Sequence, residues 1–240
     1  MLHPHWPIWL RLLLYAHIAS GIVGFLCAPI ALVTKKGGSN HRYWGKIYFW
    51  AMTGVAVTAL ILSFALPIWF LAMVSVFSFY AAFAAYRILS LKDLVRGGRP
   101  KGYDWAAALI TLASSAVLCL AGIFAPLAMR IGVIHIAGRP ISIVSVVFGI
   151  IGMRMAWNTL HTFLGRPQDR MFWWYDHLQG MTGSYIAAMT AFSSVNLSHW
   201  FGPAWWVWLW PTILGVPAIA LWTAYYKKKF ASSRKPAAVV

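Results

Sequence analysis

The sequence predicts an all-α fold, a polytopic membrane helix bundle of about seven transmembrane helices with the N-terminus outside and the C-terminus inside. Hydrophobic residues make up 61% of the 240-residue chain and charged residues 10%, whereas soluble domains carry roughly 25% charged residues. Several mostly apolar stretches reach the ~20 residues that a helix needs to cross the hydrocarbon core. Most basic residues lie in short gaps between these stretches. We therefore expect a single integral membrane domain over residues 1–240.

The first predicted span covers residues 9–33 and contains one charge, Arg11, close enough to its start to snorkel to the interface. The basic segment 34–42 ends this span. The residues before it lack the basic region and the cleavage site of a signal peptide, and the apolar run is too long for one. We therefore expect a retained first span.

The later spans follow at short intervals. We place them near residues 47–66, 68–90, 104–128, 140–160, 178–198 and 205–226. The second and third are separated only by Leu66, Pro67 and Ile68, which predicts a tight helical hairpin. The stretch 129–139 is less regular, and its central part is compatible with a short re-entrant or interfacial segment.

The distribution of basic residues predicts the orientation. With the N-terminus outside, four inner clusters receive 17 of the 20 basic residues, in agreement with the positive-inside rule. They are Lys35, Lys36, Arg42 and Lys46; Arg87, Lys92, Arg96, Arg99 and Lys101; Arg154, Arg166 and Arg170; and Lys227, Lys228, Lys229, Arg234 and Lys235. These inner loops would attract anionic lipids, and the basic tail 227–240 would be cytoplasmic. We expect a multi-pass protein of the bacterial cytoplasmic (inner) membrane.

Composition also disfavours several function classes. The net charge of +16 does not indicate a nucleic-acid partner, because such proteins gather Lys and Arg on one face of a soluble module. The chain has no Glu and four Asp, so paired catalytic carboxylates are not expected. Cys27 and Cys119 show no metal-ligand spacing and are expected to be buried hydrophobes. No phosphate-binding glycine loop, nucleophile elbow or HExxH motif occurs. Whether the protein is an enzyme stays open.

The histidines provide the first candidate chemistry. His17 lies about 12 Å below the outer end of the first span, and ionisable groups at such depth usually face a protein interior. Gly21 and Gly24 follow on the same helix face. This face would let another helix approach closely or leave room for a flat macrocycle. His17 is therefore interpreted either as a hydrogen-bonded interhelical residue or as a ligand or proton carrier.

Two further histidines lie at the inner ends of spans. His177 shares a helix face with Gly180 and Ser184. Asp176 is expected just before the sixth helix, where it would cap the helix or accept a proton from an imidazole. His41 opens the second span. The alternatives are an interfacial histidine beside a capped helix for His177 and a lipid-phosphate contact for His41.

Other polar side chains within the spans are candidates for the same interior. Asn196 follows Thr190 and Ser194 in the sixth span, and this polar face indicates helix partners or a cavity. Asn158 precedes His161 near the end of the fifth span. There the favoured interpretation is a snorkelling histidine that complements the helix dipole.

Several segments match the pattern of one family. They are His17-Ile-Ala-Ser-Gly21, Lys35-Lys36-Gly37, His41-Arg42-x-x-Gly45-Lys-Ile-Tyr48, Phe148-Gly149-Ile-Ile-Gly152, and the segment from His177 through Met181 to Asn196. The pattern resembles a bacterial family of multi-pass membrane proteins of unknown function, the type named domain of unknown function 2306. The resemblance implies the fold and a membrane location but no activity, and it singles out His17, His41, His177 and Asn196. In histidine spacing and depth the chain is also, more loosely, similar to the two-haem membrane b cytochromes.

The first functional class that the sequence supports is a b-type haem-binding transmembrane electron carrier, in which histidines on neighbouring helices hold the haem iron. An inner site would use His41 and His177, which enter the membrane from the same side. An outer site would pair His17 with His135 or His199. The cofactor would be haem b, and the protein would need a redox partner.

The second class is a proton-coupled transporter or channel for a small solute, with His17 and Asn196 lining a cavity. Interruptions at Pro29, Pro126 and Pro217 would mark broken helices in such a protein. The lack of a deep Asp or Glu counts against a conventional proton relay. A non-catalytic accessory subunit is the third class that the sequence leaves open.

Overall fold

Seven long helices make up the protein in the computed structural model, which describes residues 6–66, 69–130, 138–165, 167–202 and 204–232. They are α1 (Ile8–Val33), α2 (Ser39–Ala65), α3 (Trp69–Arg87), α4 (Gly102–Arg130), α5 (Gly138–Leu164), α6 (Phe172–Phe201) and α7 (Trp205–Ser232). Two short 3-10 turns, Ile88–Ser90 and Lys92–Arg96, lie between α3 and α4. The predicted all-α bundle of seven helices is confirmed.

Six of the seven described helices are long and apolar enough to cross a membrane. The exception is α6, which is long but carries polar side chains along its length, among them Gln179, Thr190 and Asn196. Large apolar side chains lie on the outer surface of the bundle, where Trp50 is 68% exposed and Leu221 is 73% exposed. Such a surface suits lipid rather than water. The chain is therefore a multi-pass membrane protein by its fold.

The helices form three sequence-adjacent pairs around a central α3. Helix α1 packs on α2, α4 on α5, and α6 on α7, while α3 contacts α2, α4, α5 and α6. Small side chains allow this central position, since Ala81, Ala82 and Ala85 of α3 are at most 2% exposed. Such residues let helix backbones approach closely, as is typical of membrane bundles. Helix α3 therefore joins the three pairs into one bundle.

Glycines fix the contact between α4 and α5. A Cβ at Gly149 of α5 would come 2.6 Å from the Cys119 Cβ, and a Cβ at Gly152 would overlap the Ser115 hydroxyl. A side chain at either of these two positions would push the helices apart. The other side of α5, which includes Arg154, lines a cavity. Helix α5 thus has one face for packing and one face for an interior space.

A buried ion pair joins the end of α3 to the start of α4. The Arg87 guanidinium donates from Nε and Nη2 to the two carboxylate oxygens of Asp104, at 2.8 and 3.0 Å. The Asp104 side chain is 2% exposed and also accepts the Lys101 backbone N–H at 2.9 Å. The Arg87 guanidinium carbon lies 4.8 Å from the centroid of the Tyr103 ring. Bidentate pairing restrains orientation as well as distance, so the pair determines how these helix ends meet.

The start of α6 corrects the prediction for Asp176. Helix α6 begins at Phe172, so Asp176 lies inside the helix and its predicted role as a cap is wrong. Asp169 satisfies the first N–H groups instead. Its carboxylate accepts the Met171 N–H at 2.9 Å, and its backbone carbonyl accepts the Phe172 N–H at 3.1 Å. The loop hydrogen bonds, rather than the apolar pattern, determine where this helix begins.

The predicted broken helices are also wrong within the described residues. Helix α1 continues through Pro29, α4 through Pro126, and α7 through Pro217. Membrane helices tolerate proline because neighbouring groups can satisfy the carbonyl that it frees. Helices α2 and α3 pack against each other as the predicted hairpin requires. Pro67, Ile68 and the stretch 131–137, including the predicted re-entrant segment, lie outside the described residues.

Candidate functional site

His41 and His177 meet where α1, α2, α3 and α6 converge. His41 lies in the first turn of α2, and His177 lies in the second turn of α6. Their ring centroids are 6.2 Å apart, and their ring planes cross at 77°. Both side chains are partly buried. The structure therefore brings together the two histidines from which the inner site is predicted.

Backbone carbonyls hold both imidazoles in one tautomer. The Nδ1 of His41 lies 2.9 Å from the Ala31 carbonyl oxygen, and the Nδ1 of His177 lies 2.8 Å from the Ala85 carbonyl oxygen. A carbonyl only accepts, so each Nδ1 carries the proton and donates it. Neither Nε2 has a hydrogen-bond partner among the described residues. Each histidine thus keeps one free nitrogen lone pair, the usual state of a metal-binding imidazole.

Contacts deeper in the bundle fix the positions of these histidines. The hydroxyls of Tyr48 and Ser184 are 2.6 Å apart, and both residues lie two helical turns, about 10 Å, beyond the respective histidine. Tyr48 is 3% exposed. A Cβ at Gly180 would come 2.6 Å from the Ala85 Cβ. Helix α6 therefore packs directly on the turn of α3 whose Ala85 carbonyl accepts the hydrogen bond from His177.

The charges around the pair are positive. The Lys36 ammonium lies 5.7 Å from the centroid of the Trp222 ring, and burial lowers the pKa of Lys36. The Lys92 ammonium lies 4.0 Å from the centroid of the Trp173 ring. The charges of both lysines act on His177. Positive surroundings favour a ligand that carries acidic groups.

The pair fits a metal centre that takes two protein ligands. His41 and His177, whose ring centroids are 6.2 Å apart, are the two side chains that would hold such a metal, each through its free Nε2. In the described residues, no three or more His, Cys, Asp or Glu side chains lie close enough together to hold a metal ion, so a zinc site with four protein ligands does not fit. Haem iron needs only axial protein ligands. Gly45, one turn beyond His41, leaves open space, because a Cβ there would meet no atom within 4 Å.

His17 occupies a separate position, between α1 and α2. Its Nδ1 lies 2.9 Å from the Thr58 hydroxyl oxygen. Thr58 gives its single proton to the carbonyl of Gly54 or Val55, at 2.6 and 3.0 Å. The Thr58 oxygen therefore accepts, and His17 donates from Nδ1. The Nε2 of His17 is thus an acceptor, as in the inner pair.

A cavity of about 1280 Å³ runs beside α3 and is lined by His17 but not by His41 or His177. Its walls include residues of all seven described helices and are mostly apolar. Gly21 opens onto this space, since a Cβ there would meet no atom within 4 Å, whereas Gly24 packs on α2. The sequence predicts open space or a close helix contact for this face. The structure has open space at Gly21 and a close helix contact at Gly24.

Polar side chains line separate parts of the cavity. Asn196 lines it together with Thr190 and Ser194, and the Asn196 amide donates to the carbonyl one turn earlier at 2.7 Å. Asn158 and Asp176 line it from α5 and α6. The predicted polar residues therefore face this space and do not surround the inner histidine pair.

The predicted outer haem site is not formed by the described residues. His17 bonds to Thr58, while His199 is exposed near the end of α6 and does not line the cavity. His135 lies outside the described residues. Among the histidines of the described residues, His41 and His177 are the pair whose rings are brought together.

Three features of these sites have no counterpart among the sequence predictions. The pair Arg87–Asp104 is one, although an Asp just inside a span that follows a basic loop is a signal for such a pair. The hydrogen bond between Tyr48 and Ser184 joins residues 136 positions apart. The Nδ1 acceptors are backbone carbonyls, which every residue carries, so sequence offers no signal for them.

Comparisons of the chain with protein-family models, with curated proteins and with solved structures find no match. The function is therefore inferred from the geometry of the His41/His177 pair and of the cavity.

Proposed function

We propose that the protein is a membrane electron carrier that binds one b-type haem between His41 and His177. The observation that carries the proposal is the geometry of two imidazoles from different helices, 6.2 Å apart, each with its Nδ1 held by a carbonyl and its Nε2 free. Helix bundles build cofactor sites from side chains on facing helices. Bound haem supplies one-electron transfer at its iron.

The surrounding residues have distinct roles in this proposal. The carbonyls of Ala31 and Ala85 orient the imidazoles and increase their basicity as ligands. Lys36 and Lys92, whose charges reach His177, would pair with the acidic side groups of the haem. The buried contact between the hydroxyls of Tyr48 and Ser184 links α2 to α6.

Absorption spectroscopy tests the proposal. The protein purified from haem-supplied cells is expected to be red, with a Soret band that His41→Ala and His177→Ala each abolish. His161→Ala is the matched control, because His161 is exposed in the last turn of α5, and this variant is expected to keep the band. A colourless wild-type protein, or a band that survives both substitutions, would contradict the proposal.

A specific observation also favours a second function, proton-coupled transport of a small solute. His17, Thr190, Ser194 and Asn196 line one cavity, and His17 presents an acceptor nitrogen. Uptake into vesicles is then expected to depend on pH and to be lost in His17→Ala but kept in His199→Ala, since His199 does not line the cavity. Uptake that is unchanged by His17→Ala would remove this candidate.

We place the protein in the bacterial cytoplasmic membrane with its N-terminus outside and its basic loops facing anionic lipids. Lysines at the end of α7 contact aromatic rings, with Lys227 5.3 Å from the Tyr175 ring centroid and Lys229 5.9 Å from that of Tyr226. Aromatic and basic residues together are typical of a membrane–water interface. Labelling of single-cysteine variants from either side of the membrane checks this orientation.

A further inference from the structure

Arg154 is a charged side chain within a membrane helix that has no ion pair with any described residue. It lies ten residues before the end of α5, which is about 15 Å along the helix axis. Its side chain is exposed, and it is one of the residues that line the cavity. An arginine remains charged in proteins, and a charge at this depth is costly unless it is paired. The position therefore calls for a negative partner.

The four Asp of the chain do not provide that partner. Asp104 is occupied by Arg87. Asp93 and Asp169 lie in the connections between helices. Asp176 lines the cavity, but it forms no ion pair with Arg154, and it is under the influence of the Lys227 charge. No Asp side chain among the described residues pairs with Arg154, which leaves a bound molecule as a source of the negative charge.

Hydrogen-bonding groups and open space line the same cavity as Arg154. Asn158 follows one turn later on the same helix face and also lines the cavity. Gln179 and Gly183, one turn apart on α6, line it as well. A Cβ at Gly183 would meet no atom within 4 Å. The cavity therefore offers a ligand head group one cation and the Asn158 amide on the same face of α5, with further polar groups on the facing helix α6.

The rest of the cavity wall is mostly apolar and extends over several helices. Ile151, Ile186, Val216 and Ile219 line it from α5, α6 and α7. The volume of about 1280 Å³ exceeds the roughly 300–1,000 Å³ of a typical small-molecule pocket. A small inorganic anion would leave most of this apolar surface without contacts. A molecule with one anionic end and a long apolar tail matches both parts.

We propose that the cavity binds an anionic amphiphile, an acyl chain with a carboxylate or phosphate head. The head pairs with Arg154 and accepts a hydrogen bond from the Asn158 amide, and the tail lies along the apolar walls. This site is separate from the His41/His177 pair, which does not line the cavity. The inference therefore goes beyond electron transfer and stands whether or not the protein binds haem.

Binding to the full-length protein in nanodiscs of zwitterionic lipid tests the inference. Laurate and dodecyl phosphate are expected to bind saturably, whereas dodecanol, which lacks the charge, is not. Arg154→Gln is expected to weaken both affinities about ten- to hundredfold, as expected for loss of a charged hydrogen-bonding partner. Arg170→Gln makes the same charge change in a loop outside the cavity and is expected to leave both affinities unchanged.

A second variant and a displacement experiment complete the test. Asn158→Leu is expected to weaken binding by up to about tenfold, and it replaces Arg154→Gln if that variant does not fold. Displacement of laurate by phosphatidylglycerol would identify a membrane lipid as the source of the head group, and failure of displacement would identify a single-chain amphiphile; either supports the proposed class. Equal affinities of the wild-type and Arg154→Gln proteins, binding of dodecanol as tight as that of laurate, or inorganic phosphate binding as tightly as dodecyl phosphate would overturn the inference.

Discussion

Replacing Asp104 by Asn is expected to destabilise the protein strongly, because it removes the charge that compensates Arg87. The carboxylate is 2% exposed, and it accepts two hydrogen bonds from Arg87 and one from the Lys101 backbone. Breaking a buried ion pair by removing one partner lowers the free energy of unfolding by roughly 3–5 kcal/mol. The Arg87 side chain is 19% exposed and keeps its contact with the Tyr103 ring. We therefore expect a loss of about 2–4 kcal/mol.

Unfolding of the purified protein in mixed micelles, followed by circular dichroism, measures this loss. Asp93→Asn is the matched control, because Asp93 is exposed in the connection between α3 and α4 and the substitution makes the same charge change. The control is expected to alter stability by less than about 0.5 kcal/mol. If Asp104→Asn also changed the free energy of unfolding by no more than the control, the buried pair would not hold α3 to α4.

Two further predictions concern the packing around the candidate site. Gly180→Ala is expected to lower the free energy of unfolding by about 1–3 kcal/mol and to weaken the Soret band, because the new Cβ would come 2.6 Å from that of Ala85. In the same unfolding assay, the control Gly183→Ala, whose new Cβ would meet no atom within 4 Å, should be neutral or stabilising by up to about 1 kcal/mol. Equal effects of the two substitutions would refute the contact between Gly180 and Ala85. Tyr48→Phe is expected to lower stability by about 1 kcal/mol, since Ser184 keeps its bond to a carbonyl of its own helix at 2.9 Å; an unchanged unfolding midpoint would show that the contact between the two hydroxyls adds nothing.

The fold could be predicted because the membrane limits the choices. Segments of sufficient apolar length between basic gaps have to be helices, and six of the described helices meet that criterion without any tertiary information. Helix α6 is different, since its polar side chains turn toward α3, α7 and the cavity. The apolar residues between these polar positions predict that the helix exists. They do not predict where it starts, because a turn formed by Asp169 and Met171 determines its first residue.

The candidate site could be predicted only in part. His41 and His177 were placed at the same side of the membrane by the charge pattern, and the structure brings their rings together. The partner of His17 was not predictable, because Thr58 is one of many hydroxyls in the spans and only the packing of α1 on α2 selects it. The same limit applies to Asp104, whose pairing with Arg87 depends on how α3 and α4 meet.

The most direct test of the haem proposal is the number of haem groups per chain in the purified protein, determined from its pyridine haemochrome. We predict one haem per chain in the wild-type protein and none in either His41→Ala or His177→Ala. A wild-type protein without haem, or one that keeps its haem when both histidines are replaced, would contradict the assignment of this pair as the cofactor site.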